Sequence, residues 1–549
     1  MDGSDEQVMA LLTGAGAPFE LIDISVAGAA MRGFRRAEAS LDSLFAGFEL
    51  HGEKSFIVED GRRLTYAETA AAAARLAADL DRRGVRAGDR VAIAMRNGAE
   101  WMAGFIAIVA IGAVPALVNS RGAPGEMAAA IDLVGACLAL ADSSRADMLA
   151  DAVDCLVPVL DPSPGAPPLP RGGAAPGDAA MILFTSGTTG RAKGATLSHR
   201  AALTGLLLSQ MAGAMIAIRM AGPAALTMPR PQQAPLLAFP LFHVSGCHAT
   251  FLAALASGSR LVSAPRWDPD RVVELIRDEG VTSVSGSPAM IWDLIQAKDR
   301  AGVDLPTLSS VSTGGQAQPI NLLEAIVAAF PHAVVGTGFG STETAGAIAM
   351  HTGADYLAHP RAAGRVLSLA DVRIRDGDGA DLPPGMAGEI VVRGPMVMSG
   401  YWNDASASAR ALAGGWFRTG DVGLLDAAGN LTILDRLTDM VISGGENIYC
   451  AEVEAALQQH GDVVEAAAFG LPDDRLGERL VAVVRPCPGG TIAADAVRAG
   501  LAGQLADYKI PTAIFVIDRG LPRNALGKVD KRALRATFAG KDMPADATA

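Results

Sequence analysis

The sequence predicts an α/β fold in a chain of more than one domain, and three observations carry that prediction. Short apolar runs alternate with helical stretches between Val91 and Val159, the rhythm of a parallel sheet with helical crossovers. After residue 360 the texture changes to short alternating runs punctuated by Gly, Asp and Pro, which reads as antiparallel β, a barrel or small sheet. The tail, 436–549, has its own βαββαβ-like alternation and is long enough to fold alone. At 549 residues the chain exceeds what one hydrophobic core serves.

In chain order, residues 1 to about 40 carry weak periodicity, and Leu41 to Phe48 fits an amphipathic helix. Phe56–Val58 and Arg62–Tyr66 read as two short strands around Glu59-Asp60-Gly61. An Ala-rich helix follows from Ala67 to Arg83 and stops at Gly84. Val91–Ala94, Leu138–Leu140 and Val157–Val159 are expected as buried strands. Trp101 to Val118 is free of charge and near the lower length of a membrane span, but Gly112 and Pro115 interrupt it. It is expected as a buried helix turning into a buried strand, with no transmembrane segment in the chain. Residues 162–176, rich in Pro, Gly and Ala, are expected as a loop. A helix follows from Arg200 to about Met220, then an irregular excursion from Ala221 to Pro235. Leu236–Phe239, Val281–Val284, Val311–Thr313 and Val334–Gly336 supply further short strands. Val372–Ile374, Gly388–Gly394 and Asn430–Leu434 carry the antiparallel texture. In the tail, helices are expected at 452–459 and 494–505, with strands at 466–470, 480–484 and 513–517.

The stretch Phe184-Thr185-Ser186-Gly187-Thr188-Thr189-Gly190-Arg191-Ala192-Lys193-Gly194 follows the apolar run Ala179–Leu183. Glycines, hydroxyls and free backbone N–H groups in that order can face a polyanion, with Arg191 and Lys193 adding positive charge. It is not a Walker A loop, since no Gly-Lys-Ser/Thr ends it. Taken alone, it also reads as a polar surface turn. His243, in Pro240-Leu241-Phe242-His243-Val244-Ser245-Gly246, reads either as a pocket-lining side chain or as a core histidine. Gly336-Thr337-Gly338-Phe339-Gly340 lacks dinucleotide-binding spacing, so no such site is assigned.

Composition narrows the partners. The formal charge of −13 argues against general nucleic-acid binding, and an anionic ligand must be held by local groups. Five scattered cysteines without a Cys-x-x-Cys argue against structural zinc and a disulfide framework. The acidic start, Met1 to Glu6, lacks a signal-peptide core, so a cytoplasmic, reducing location is expected.

Six stretches stand together in one order: 184–194, Pro240–Gly246, Gly338–Glu343, Trp416–Asp421, Asp435–Asn447 and Leu521–Lys528. With them the sequence, from about Ser43 to Arg535, resembles the adenylate-forming superfamily of acyl-CoA synthetases, luciferases and peptide-synthetase adenylation domains. The resemblance implies a large N-terminal AMP-binding domain, 1–435, of stacked α/β subdomains plus a β-barrel-like subdomain. It also implies a small mobile α+β lid domain, 436–549, with a hinge near Thr438. Two half-reactions are implied: a carboxylate attacks the α-phosphate of ATP to give an acyl-adenylate and pyrophosphate, then coenzyme A displaces AMP.

The same resemblance implies the roles. Thr185, Ser186, Gly187, Thr188, Thr189, Gly190 and Lys193 would hold the β- and γ-phosphates. Gly338, Phe339, Gly340 and Ser341 would flank the adenine, with Phe339 stacking on it where many relatives carry Tyr. Thr342 would bind the α-phosphate and Glu343 would hold Mg²⁺. Asp421 and Arg436 would hold the ribose, and Lys528 would neutralise charge between carboxylate and α-phosphate. His243 would orient groups where acyl and pantetheine channels meet. Ser443, Gly444 and Gly445 would move in for the second half-reaction. Cys450 stands where many relatives carry Pro.

The implied acyl pocket comprises Val244, Ser245, Gly246, Cys247, Ser287 to Trp292, and Gly314, Gly315, Gln316 and Ala317. It holds no charge and many small side chains, which favours a bulky apolar acid, fatty, aryl or polycyclic. Expected partners are that acid and coenzyme A, with a homodimer left open. Two other readings stand beside the ligase: an adenylase loading a separate carrier protein, and a non-catalytic nucleotide-binding protein on the same fold.

Overall fold

The computed structural model describes residues 3–186, 192–229, 231–314, 320–487, 490–523 and 529–539. The first apolar runs assemble a seven-stranded sheet. Its parallel part is Ala179–Ser186, Val114–Leu117, Arg90–Ala94, Leu138–Ala141 and Cys155–Leu156, in that spatial order. Ala192–Ser198 and Gly400–Tyr401 extend it antiparallel at the other edge. Helices cover it for legible reasons. Tyr66–Arg82 starts at a reciprocal cap between Thr65 and Glu68. Ala99–Ala110 buries every residue but Glu100, as the charge-free run from Trp101 onward requires.

Four expectations shift here. The strand expected at Val157–Val159 lies instead at Cys155–Leu156, and Val159 is 87% exposed. The stretch 184–194 is not wholly a loop: Ser186 pairs with Ala192, Thr185 with Lys193 and Phe184 with Gly194 across a hairpin. Leu41–Phe48 divides into a 3₁₀ turn, Leu41–Phe45, and a short helix, Ala46–His51. The helix expected at 494–505 ends at Gly500. The helix His199–Ala221 is long and apolar enough to cross a membrane, but over half of its apolar window is buried inside the protein.

A nine-stranded sheet carries the middle of the chain. Ser283–Gly286, Ser310–Gly314 and Val334–Ser341 run parallel. Gly346–Thr352, Gly364–Val366, Asn430–Arg436, Phe417–Leu425, Gly388–Arg393 and Asp371–Arg375 continue it antiparallel. The three strands expected with antiparallel, barrel-like texture, at Val372–Ile374, Gly388–Gly394 and Asn430–Leu434, are among these six, hydrogen-bonded to the α/β part rather than separate from it. A four-stranded sheet, Leu236–Leu237, Leu261–Ser263, Ser55–Glu59 and Arg62–Thr65, packs beside them.

The tail forms a five-stranded sheet from Glu446–Ile448, Val441–Ser443, Gly477–Pro486, Val463–Asp473 and Ala513–Val516. Among the described residues, its two buried clusters draw only on side chains from Val441 to Phe538. A helix that the sequence pattern did not announce, Lys531–Phe538, buries Leu534 and Phe538 against that sheet. Asp435, at the end of the large sheet, accepts from Cys450 N and, at 3.4 Å, Ala451 N, so it caps the first tail helix, Cys450–Gln458. Burial pushes its carboxyl up.

Candidate active site

The hairpin after Ala179–Leu183 places Thr185 and Lys193 opposite each other. Gly187, Thr188, Thr189, Gly190 and Arg191 lie outside the described residues, as do Gly315, Gln316, Ala317 and Lys528. The Lys193 ammonium sits 4.9 Å from the centroid of the Tyr401 ring. The Tyr401 hydroxyl donates to Glu343 Oε1 at 3.0 Å. Burial pushes the Tyr401 phenol up, and the charge of Glu343 adds to the shift. A cation, a ring and a carboxylate from three distant stretches thus form one chain of contacts.

Glu343 is delivered by strand Val334–Ser341 and a 3₁₀ turn, Thr342–Thr344. The turn is locked: Ser341 N donates to Thr344 Oγ1 at 2.9 Å, whose hydroxyl donates to Gly346 O at 2.8 Å. Glu343 O accepts from Met398 N at 2.8 Å. Gly340 is required there, because a β-carbon would overlap Gly346 O and lie 2.6 Å from Gly346 C. The register slips between Phe339 and Gly340, which bends the strand into the turn. Thr342 is buried, and Phe339 is half-buried against the main core. Gly314 pairs with Gly338, so those two expected positions are neighbours on the sheet.

Asp421 and Arg436 are direct partners on adjacent strands, Nε to Oδ1 at 3.2 Å. Asp421 is 7% exposed, while the Arg436 side chain is well exposed. Asp421 N donates to Thr419 Oγ1 at 3.0 Å, and Thr419 in turn donates to Ile390 O at 2.8 Å.

His243 precedes a short helix, Val244–Gly246, that runs into a π-helical turn, Cys247–Leu252. Its ring lies 5.4 Å from Phe242. Asn97, which the sequence reading missed, clamps the approach: its Nδ2 donates to Phe239 O and its Oδ1 accepts from Leu241 N, both at 2.8 Å. Its signal was position, just past a parallel strand's carboxyl end, where α/β ligands gather. Arg96 and Arg121 were also missed. They line a small cleft with Asn97, Ser120, Pro240 and Phe242. Among the described residues neither guanidinium has a carboxylate partner. Burial pushes Arg121 down, and the like charge of Arg96 adds to it. Tyr401 left no local signal, standing 58 residues from Glu343. Ser443, Gly444 and Gly445 form the turn of a hairpin, and Gly444 N donates to Leu476 O at 2.9 Å within the tail.

The arrangement offers a hydroxyl- and lysine-bearing hairpin, a turn with one carboxylate and a buried aspartate beside an arginine. An AMP-binding enzyme model matches residues 45–402, and the model of that enzyme's C-terminal domain matches 452–528. The chain belongs to the AMP-binding enzyme family. It is 36% identical over 488 residues to a feruloyl-CoA synthase of Amycolatopsis sp, covering 87% of this chain and 94% of that protein. It is 35% identical over 502 residues to indoleacetate–CoA ligase of Aromatoleum aromaticum, with the same two coverages. Among solved structures, o-succinylbenzoate CoA synthetase from Bacillus subtilis with its acyl-adenylate intermediate matches at a TM-score of 0.78. That match is 29% identical over 92% of this chain and 99% of the other. The same enzyme with ATP and magnesium ion matches at 0.76, 30% identical, over 88% and 97%. The fold is therefore the mixed α/β fold of adenylate-forming enzymes, a large N-terminal part and a smaller C-terminal one.

Proposed function

We propose that this chain is an AMP-forming acyl-CoA synthetase acting on an apolar carboxylic acid. The contact chain Lys193–Tyr401–Glu343 carries the reading, since it sets a cation and a carboxylate together as a magnesium triphosphate requires. The relatives' named reactions and their nearly full-length coverage support it. A carboxylate oxygen of the acid attacks the α-phosphorus of ATP, and the bond to pyrophosphate breaks. The sulfur of coenzyme A then attacks the acyl carbonyl, and AMP leaves.

Residues 185–193 take the β- and γ-phosphates, Thr342 the α-phosphate, Phe339 the adenine face, and Asp421 with Arg436 the ribose. Lys528 supplies the ammonium between the two reacting anions, where charge stabilisation matters most. Glu343 suits Mg²⁺: it is a hard oxygen donor, half-buried, whose Oε1 is oriented by Tyr401. Among the described residues no group of three or more His, Cys, Asp or Glu forms a protein cage, which fits a metal held chiefly by phosphates and water. When bound, the metal offsets negative charge on the phosphates. Arg96 and Arg121, close enough to repel each other and without a carboxylate partner among the described residues, fit the phosphates of coenzyme A better than a carrier protein's single phosphopantetheine. His243 orients the acyl group and thiol, and Val244, Ser245, Gly246, Gly314, Gly315 and Gln316 line the acyl pocket. Ser443–Gly445 enters for the second step. The division falls at 435/436, with rotation near Thr438, between the large lobe 1–435 and the lid 436–549.

The test is a panel of fatty, aryl and steroid-like acids with ATP, Mg²⁺ and coenzyme A. Acid-dependent pyrophosphate release coupled to coenzyme A consumption is expected. Pyrophosphate without thioester points to carrier loading, and neither product across the panel removes the enzymatic reading.

A further inference from the structure

The loop that carries His243 is held by a side chain rather than by a sheet. Strand Leu236–Leu237 ends two residues before Phe239, and Pro240 has no N–H to give. Two backbone groups, Phe239 O and Leu241 N, are left to find partners. Asn97 supplies both: its Nδ2 donates to Phe239 O and its Oδ1 accepts from Leu241 N, each at 2.8 Å. Among the described residues neither group has another hydrogen-bond partner. One amide side chain thus bonds a carbonyl and the N–H two residues on, as a residue of a neighbouring parallel strand would.

The anchor is rigid. Asn97 stands between strand Arg90–Ala94, whose residues from Val91 to Ala94 are fully buried, and helix Ala99–Ala110, buried at all but Glu100. That strand lies where the order of the sheet reverses: Val114–Leu117 pairs on one side of it and Leu138–Ala141 on the other. Loops at the carboxyl ends of such strands are where ligands of open α/β sheets gather. The loop is stiff as well as anchored. His243 N donates to Pro240 O at 3.1 Å, and His243 O accepts from Cys247 N at 2.7 Å. A β-carbon on Gly246 would overlap Pro240 O, so the short helix Val244–Gly246 packs directly on the anchored stretch. A displacement at Phe239–Leu241 is therefore passed on to His243 rather than absorbed before it.

We infer that Asn97 is a positioning residue for His243. It fixes the loop so that the imidazole meets the acyl group and the thiol in the second half-reaction. The inference rests on the role proposed above for His243. Both amide atoms of Asn97 are engaged with backbone, so it acts through the loop and not on the reacting atoms. Misplacement of a reacting group by about 1 Å costs about 100-fold in rate, and without Asn97 these two backbone groups have no second tie to prevent it.

The test is a double-mutant cycle on the full chain: wild type, Asn97→Ala, His243→Ala and the double variant. Thioester formation is followed in a single turnover from the synthetic adenylate of the best acid of the panel, with saturating coenzyme A. Enzyme is counted by the adenylate it binds, so a variant that folds poorly is not mistaken for a slow one. Asn97→Ala is expected to be about 10- to 100-fold slower than wild type. In the His243→Ala background the same change is expected to cost no more than about threefold, because the group it positions is already gone. A merely structural role for Asn97 gives the same fold loss in both backgrounds. Losses that multiply, or an Asn97→Ala protein at the wild-type rate, overturn the inference while the role of His243 stands. If His243→Ala itself runs at the wild-type rate, the role proposed for His243 fails and the positioning fails with it.

Discussion

Gly205→Ala probes how the scaffold seats Thr342 and Glu343. Gly205 lies on the buried face of helix His199–Ala221. A β-carbon there would overlap Ala345 O and lie 3.0 Å from both Ala345 C and Ala345 Cβ. Ala345 closes the turn Thr342–Thr344 at a left-handed φ of +51° and donates its N–H to Thr342 O at 3.1 Å. A carbon–oxygen contact settles near about 3.3 Å or beyond, so helix and turn must part by about 1 Å. Helix propensity favours the alanine by about 1 kcal/mol. Overpacking a filled core opposes it by about 1–3 kcal/mol. The steric term wins, and a shift of about 1 Å in the turn is worth about 100-fold in rate. Gly213, on the same helix, has open space within 4 Å of where an alanine methyl would sit and serves as the control. Thermal melting and ATP–pyrophosphate exchange read both variants. Gly205→Ala is expected to melt lower and exchange about 10- to 100-fold more slowly. Gly213→Ala is expected to melt higher, by the equivalent of about 0.5–1 kcal/mol, with unchanged exchange. A Gly205→Ala protein that melts above wild type at full rate would refute the reasoning.

Tyr401→Phe removes one hydrogen bond to a carboxylate, worth about 1.5–3 kcal/mol, so kcat/KM for ATP at limiting Mg²⁺ should fall about 10-fold or more. A magnesium dependence identical to wild type would separate Tyr401 from Glu343 function. Asp421→Asn, beside Arg436, should raise KM for ATP about 10-fold and leave KM for the acid alone; steady-state kinetics with each substrate varied decide it. Burial pushes the His248 imidazole down to about 4 from its ordinary 6.5. The unfolded chain therefore takes up a proton first as pH falls. Stability is complete above about pH 6.5 and is lost towards pH 4 at about 1.4 kcal/mol per unit. Melting at pH 7 and pH 5 should show a larger drop in wild type than in His248→Leu, and parallel drops would reject the assignment.

Much of this fold was legible because apolar length and glycine placement constrain strands and helices directly. Tyr66–Arg82 is one case: the Ala-rich run from Ala67 and the stop at Gly84 stand in the sequence, although Tyr66 was expected in the preceding strand. The misses share a cause. Val157 and Val159 are β-branched and apolar, yet the sheet's edge strand stops at Leu156 and leaves them exposed. The hairpin around 184–194 hid behind Gly and Thr, whose turn character masks cross-strand pairing. Helix Lys531–Phe538 is short and charged, and only the spacing of Leu534 and Phe538 gave it a buried face. At the site, single residues inside recurring stretches could be read, but their partners could not. Tyr401 meets Glu343 only across space, and nothing local marks it, while Asn97 is marked only by its place just past strand Arg90–Ala94.

The nine-stranded sheet has one further consequence. Phe339, Arg436 and Asp421 sit on strands of a single hydrogen-bonded ladder, with Gly346–Thr352 and Gly364–Val366 bridging them. Under the roles proposed above, the spacing between the base contact, Phe339, and the ribose contact, Asp421, would be set by the backbone of this sheet. A nucleotide held on those proposed contacts would keep one berth through both half-reactions, and departure of AMP would be a matter of loosening contacts rather than of dismantling the berth.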